Sequence, residues 1–171
     1  SSTLSFVDGS SDVVLDNTYP VYLFKFFNIH PASTQPFLFQ GSTDTGSSYG
    51  VTMTSSAFRA YHNEAGTSTS LSADTGNDQA QATGFQKLHG NIVNSNDHGG
   101  SGEMYFFNPS STTFVKHFIS TINASLDDAV VQEQFIAGYF NTTSAIDAIQ
   151  FKMNSGNIDS GSIKLYGIKD S

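Results

Sequence analysis

Residues 145–168 read AIDAIQFKMNSGNIDSGSIKLYGI. Ile149, Phe151 and Met153 alternate with Gln150 and Lys152, and after a polar run Ile163 and Leu165 alternate with Lys164 and Tyr166. Successive side chains on a strand point to opposite faces, so this period of two predicts two strands joined as a hairpin. Ile149, Phe151, Met153, Ile163 and Leu165 would then share one apolar face, which is stable only when another sheet covers it. The linker 154–161 contains Gly156 and Gly161, which take positive φ at little cost, and it is longer than a tight two-residue turn.

Working back toward the N-terminus, the same alternation recurs. Residues 3–7 and 12–15 read as short strands divided by Asp8-Gly9-Ser10-Ser11, a turn by composition. Residues 21–27 (VYLFKFF) are apolar on both faces except Lys25, the pattern of a central strand buried from both sides. Pro20 and Pro31 bracket it, because each lacks an amide donor and restricts the residue before it. Residues 37–39 begin another strand, turned at Asp44-Thr45-Gly46; residues 49–53 alternate again, and 57–62 (AFRAYH) read as strand. Residues 63–84 hold almost nothing large and apolar except Leu71, so they predict a long surface excursion, or one that contains a further strand. Strands follow at 85–93, 103–107, 114–122 and 130–140, with 94–102 (NSNDHGGSG) as a turn. The fold class expected is all-β, an antiparallel, jelly-roll-like β-sandwich of about ten strands without a helix, one domain over residues 1–171. No fixed repeat period stands out, which disfavours propellers and solenoids.

Composition narrows the function classes. The 171 residues carry 15 Asp and Glu against 7 Lys and Arg, a formal charge of -8 that would repel a phosphate backbone and argues against direct nucleic-acid binding. Only 13% of residues are charged, against a typical quarter. Ser, Thr, Asn and Gly fill polar positions instead, as in a turn-rich sheet protein or one whose outer face packs against neighbours. Cysteine is absent, which excludes disulfides and thiolate metal sites. No stretch has the roughly 20 apolar residues of a membrane span, and SSTLSFVDGS lacks the basic and apolar regions of a signal peptide. The chain starts without Met, as a processed product or part of something longer would. Fifteen Phe and seven Tyr without Trp predict a core of aromatic rings between two sheets, each buried ring contributing roughly 1.5 to 3 kcal/mol.

Residues able to carry chemistry are dispersed. Of the five histidines, His30, His62 and His117 lie at or near expected strands and could converge on zinc, copper or iron, with His89 and His98 elsewhere; none has metal-motif spacing, so hydrogen-bonded structural groups are the better reading. Asp8, Asp12 and Asp16 recur every four residues and Asp127-Asp128 form a pair, but neither set matches a calcium loop, and both read as turn carboxylates. Glu64, Glu103 and Glu133 could pair with an Asp as glycosidase carboxylates only if the fold brought them together. No G-x-S-x-G elbow or phosphate-binding glycine loop occurs. The reading is therefore non-enzymatic, with no catalytic, cofactor-binding or metal residue assigned and no cofactor expected. Asn123-Ala124-Ser125 and Asn141-Thr142-Thr143 fit the glycosylation acceptor, at a frequency chance would give in such a chain. Tyr49, Tyr61 and Tyr105 could stack on sugars if exposed, although core is the commoner home for such rings.

Five phrases carry a family resemblance: YLFKFFNIHP (22–31), FRAYHNE (58–64), FFNPSSTTFVKHFIS (106–120), GYFNTTSAIDAIQFKM (138–153) and SGSIKLYGI (160–168). Together they resemble virion structural proteins of tailed bacteriophages, especially marine and cyanobacterial ones. The likeness runs through most of the chain and rests on sheet and turn phrases, with no catalytic signature. It implies a β-sandwich borne at the virion surface, as capsid decoration, at a vertex or in a tail fibre, contacting other capsid or tail subunits. Assembly as a homo-oligomer is expected, since particle sites are repeated and oligomers usually close by symmetry. The loops 63–84 and 94–102 are the expected contacts. The alternative is a lectin-like receptor-recognition module holding a host-surface glycan. A polysaccharide-degrading fibre tip is a third reading, which would require a carboxylate pair in a groove.

Overall fold

The computed structural model describes residues 1–127 and 129–170, and its regular structure is all strand. In chain order the strands are β1 (Thr3–Val7), β2 (Val21–Pro31), β3 (Gln35–Ser42), β4 (Met53–Asn63), β5 (Thr69–Ala73), β6 (Gln86–Ile92), β7 (Gly100–Phe107), β8 (Lys116–Leu126), β9 (Val130–Phe140), β10 (Ala148–Met153) and β11 (Ile158–Ile168). They make a four-stranded sheet in the order β1-β10-β3-β6 and a seven-stranded sheet in the order β11-β2-β7-β8-β9-β4-β5. Every named pairing is antiparallel. The antiparallel sandwich expected from the alternation is present, with eleven strands where about ten were expected.

The aromatic core forms where the two sheets face each other. Phe24, Phe26, Phe106 and Phe118 of the larger sheet meet Phe37, Phe39 and Phe151 of the smaller one, all fully buried. Phe151 is the hub. Its ring lies 5.1 Å from Phe24, 5.3 Å from Phe26 and 5.9 Å from Phe37, with edge-on geometry to the first two, the arrangement aromatic quadrupoles favour.

The predicted hairpin does not form. β10 pairs with β1 and β3 in the smaller sheet, whereas β11 pairs with β2 at the edge of the larger one. The link 154–157 crosses between sheets, tied by Asn154 N–H to Pro36 O at 3.0 Å and by Ala32 N–H to Asn157 O at 3.0 Å. It therefore runs beside the link 32–34, which joins β2 to β3 and makes the same change of sheet. Ile149, Phe151 and Met153 still line the core, and Ile163 and Leu165 pack on that core from the opposite side. Alternation fixes which face a side chain takes; it says nothing about which strand lies alongside.

Other expectations also shift. Residues 12–15 are not strand; they form a loop in which the Asp8 carboxylate accepts the Leu15 amide at 2.8 Å. β2 spans its two prolines as expected, but it is not buried on both sides: Phe27 is 41% exposed and Lys25 pairs with Glu103 at 3.5 Å. Of residues 49–53 only Met53 is in a strand. Residues 63–84 contain β5, so the excursion hid a short edge strand. A bulge interrupts β2 after Phe26, where Asn28 takes φ 48° and its amide donates to Ser101 Oγ at 2.9 Å. The extra residue keeps Ile29 pointing into the core beside Phe26.

Candidate functional site

The four-stranded sheet covers one face of the seven-stranded sheet. The opposite face is built by the outward residue of every second position on β2, β4, β7, β8, β9 and β11, and the register aligns these into rows. One row runs Tyr166, Leu23, Tyr105, Ile119, Ala137, Ser56 across six strands. Ile168, Val21 and Phe107 flank it on one side, in line with each other. The next row runs Lys164, Lys25, Glu103, Thr121, Phe135, Phe58.

This face is unusually greasy for an outer surface. Ile119 is 51% exposed, Phe58 46%, Val131 45% and Tyr166 44%. Phe58 and Phe135 stack at 4.5 Å with planes 10° apart, and Tyr105 stacks with Phe107 at 6.4 Å. Lys25, Lys164, Glu103 and Glu133 are its Lys and Glu members, so its formal charge is zero on a chain of -8. A shallow depression of about 520 Å³ lies between Ile119, His117, Tyr139 and Ser56, where the small Ala137 side chain leaves room. Contiguous apolar surface of this kind marks interaction sites in soluble proteins.

At the other end of β4, a groove of about 500 Å³ is lined by Tyr61, His62, Leu71, Asn123, Val131 and Glu133. It joins an aromatic, an amide and a carboxylate over an apolar floor. A larger hollow of about 740 Å³ sits at the far rim among the hydroxyls of Thr18, Ser110, Ser111, Thr112 and Thr113. Its lining is mostly hydroxyl and amide, with Lys169 and Asp170 at the edge, and gives no basis for chemistry.

The histidines do not converge. His62 and His117 lie at opposite ends of the larger sheet, because His62 aligns with Val131 and His117 with Tyr139 on the same β9. His30 contacts the Ser95 carbonyl at 3.2 Å and Asp159 at 3.5 Å, and His98 lies 4.0 Å from Asp127. His89 is fully buried, with Nδ1 accepting the Asn91 amide at 3.3 Å. Burial pushes its pKa down to about 4, against smaller upward contributions from the backbone at Asn91 and Gln132 and from the Asp74 carboxylate. The ring is therefore neutral at pH 7. It belongs to a polar layer where Gln86 Nε2 donates to Asn77 O at 2.6 Å, Asn77 Nδ2 to Asp74 at 2.6 Å and Ser55 Oγ to Gln86 Oε1 at 2.6 Å. These bonds lock the segment after β5 over the inner side of β4.

Asp16 caps the Thr18 amide at 2.7 Å, as a turn carboxylate does. Asp128 lies outside the described residues. Among the described residues no group of three or more His, Asp or Glu is placed to hold a metal, and no helix is long and apolar enough to cross a membrane. Of the glutamates, Glu103 is paired with Lys25, Glu133 lines the Tyr61 groove, and Glu64 lines an adjoining cleft with His98 that shares His62 and Val131 with that groove. Tyr61 and Tyr105 reach the surface in part, as does Tyr49, whose ring lies 6.5 Å from Phe85. The aromatic outer face was not singled out beforehand. Its signal was present in the alternation itself, since Tyr105, Phe107, Phe135 and Ile119 occupy positions that a half-buried strand gives to polar residues.

Compared with known proteins, the chain matches no family model, no curated protein and no solved structure.

Proposed function

We propose that this chain is a non-enzymatic structural module of a bacteriophage particle, placed at the virion surface as capsid decoration, vertex or tail-fibre protein, and that it contacts other subunits through the uncovered face of its seven-stranded sheet. The observation that carries the reading is that face: rows of aligned aromatic and aliphatic side chains with balanced charge on an otherwise acidic molecule. Such a surface is costly in water and stable against a neighbour. The family resemblance supplies the particle, and the strand order supports a jelly-roll-like sandwich. In β1-β10-β3-β6, and at β11-β2, β2-β7 and β9-β4, neighbours come from distant parts of the chain, as in folds used by capsid and lectin domains. The glutamates give the non-enzymatic reading its support, because Glu103 is paired with Lys25, and Glu64 and Glu133 are each the one carboxylate among the described residues lining their adjoining clefts.

A second reading has one observation in its favour. The Tyr61 groove, with Asn123 and Glu133 beside it, has the chemistry of a shallow glycan site, which a lectin-like receptor-recognition module would use.

A density map of intact particles carrying the chain tests the first reading. The expected result is the β2-β7-β8-β9 surface buried against another virion subunit. Absence of the chain from purified particles, together with saturable glycan-array binding lost on Glu133→Gln, would replace it with the second.

A further inference from the structure

We infer that the uncovered face of the seven-stranded sheet pairs with the same face of a second copy of this chain, about a two-fold axis lying along β8. This deepens the subunit-contact reading above and rests on it for the role of the face, though not for the pairing.

The strand order supplies the geometry. β8 is the middle strand of seven, with β7, β2 and β11 on one side and β9, β4 and β5 on the other. A two-fold axis along the middle strand of two stacked sheets lays β7 of one copy over β9 of the other, and β2 over β4, at the same height along the strands. Residues that share a row and lie equally far from β8 therefore meet.

Along one row these partners are complementary in size. Leu23 and Tyr105 stand on the β2-β7 side, and Ser56 and Ala137 stand at the matching positions on the β4-β9 side. Tyr105 of each copy is thus brought over Ala137 of the other, above the depression of about 520 Å³ that the small Ala137 side chain leaves open. Leu23, already buried at 9% exposure, lies opposite Ser56 and adds little to the contact. In the adjoining row the Lys25–Glu103 pair meets the Phe58–Phe135 stack, so the ion pair of each copy is laid over the apolar pair of the other. A two-fold contact makes each of these meetings twice, which is how one patch becomes complementary to itself.

Area and charge agree with this occupant. Seven strands about 4.8 Å apart and outward rows extending about 25 Å along them give a face of roughly 800 Å² per copy, the amount a stable pair of proteins buries on each side. Two copies at -8 each repel over most of their surfaces, and on this face Lys25 and Lys164 offset Glu103 and Glu133.

The test is sedimentation equilibrium of the full chain across micromolar concentrations, with circular dichroism on each variant as the check of folding. Wild type is expected as a dimer. Ala137→Tyr, at an exposed position, fills the depression twice and is expected to weaken the dimer at least tenfold, and Tyr105→Ala is expected to weaken it by removing the knob. Ala137→Tyr combined with Tyr105→Ala exchanges knob and hole across the axis and is expected to restore pairing. A wild type that stays monomeric overturns the inference, whether that monomer binds particles, which keeps the structural-module reading, or binds phosphatidylcholine vesicles instead. A dimer insensitive to Ala137→Tyr, or a double variant weaker than both single ones, overturns it as well. Dimerisation with the expected variant pattern in a chain that particles do not carry supports the pairing and removes the virion role.

Discussion

Phe58 on β4 and Phe135 on β9 lie ring over ring, centroids 4.5 Å apart and planes 10° from parallel, on the side of the sheet away from the core. Directly opposed cross-strand aromatics stabilise an antiparallel pair even when half exposed. Phe58→Ala is expected to lower unfolding free energy by about 1 kcal/mol, measured by urea denaturation at low protein concentration. A loss several times larger would mean that the ring is already covered in the isolated molecule.

Phe151 has the opposite environment, with no exposure and aromatic neighbours from both sheets. Phe151→Ala leaves a cavity that the rigid rings around it fill poorly. A loss of about 3–5 kcal/mol in unfolding free energy is expected, and Phe151→Leu should recover much of it.

His89 makes stability depend on pH. Its folded pKa of about 4 is below the unfolded value near 6.5, so the unfolded chain binds the proton more readily between those limits. The contribution is complete above pH 6.5 and is lost as pH falls toward 4, at most about 3 kcal/mol. Denaturation at pH 7 and pH 4.5 should show the decline, and His89→Gln should flatten it. Below that window Asp44 adds a loss of the same sign, since hydrogen bonds from Ser42 and Ser48 hold its pKa at about 2.

Lys116 is fully buried, and its ammonium donates to the Thr142 carbonyl at 3.2 Å. Burial lowers its pKa, so part of the folding free energy goes into keeping a charge out of water. Lys116→Met keeps the length and flexibility of the stem and removes the charge. It is expected to raise stability by about 1 kcal/mol or more, read as a higher Tm at pH 7. A lower Tm would show that the bond to Thr142 outweighs the burial penalty.

Gly138 stands inward between β4 and β8, where an added Cβ would come within 2.5 Å of Thr54 O and 2.8 Å of the Phe118 ring. Backbone on one side and a packed ring on the other leave little relief. Gly138→Ala is expected to destabilise by about 1–3 kcal/mol, the usual range for overpacking, in the same denaturation assay.

Faces were legible in the sequence and partners were not. Ile149, Phe151 and Met153 point inward as their alternation required, and β2 begins right after Pro20 and ends on Pro31. The assignment of β10 and β11 to different sheets depends on β1, β2 and β3, which lie more than a hundred residues away, and no local pattern records it. β5 escaped because Leu71 is its one large apolar residue and it faces solvent at 72% exposure. The outer face was hidden for another reason. VYLFKFF looks like a strand covered twice, and the structure covers it once, leaving Phe27 and Lys25 on a surface that the isolated chain does not bury.

The first strand zips onto the tenth, Thr3 opposite Lys152, and the second onto the eleventh, Val21 opposite Ile168. In a nascent chain β3 can pair with β6, β2 with β7, and β7, β8, β9 and β4 with one another as they emerge, but β1 has no partner until β10 is made and the outer edge of β2 stays open until β11 follows. Before then β3 lacks one neighbour and the ring cluster lacks its hub, so an early-arrested product would expose sticky backbone and Phe side chains together. Closure of both sheets therefore waits on these two late strands, and a pairing of such long range is the slow kind to form.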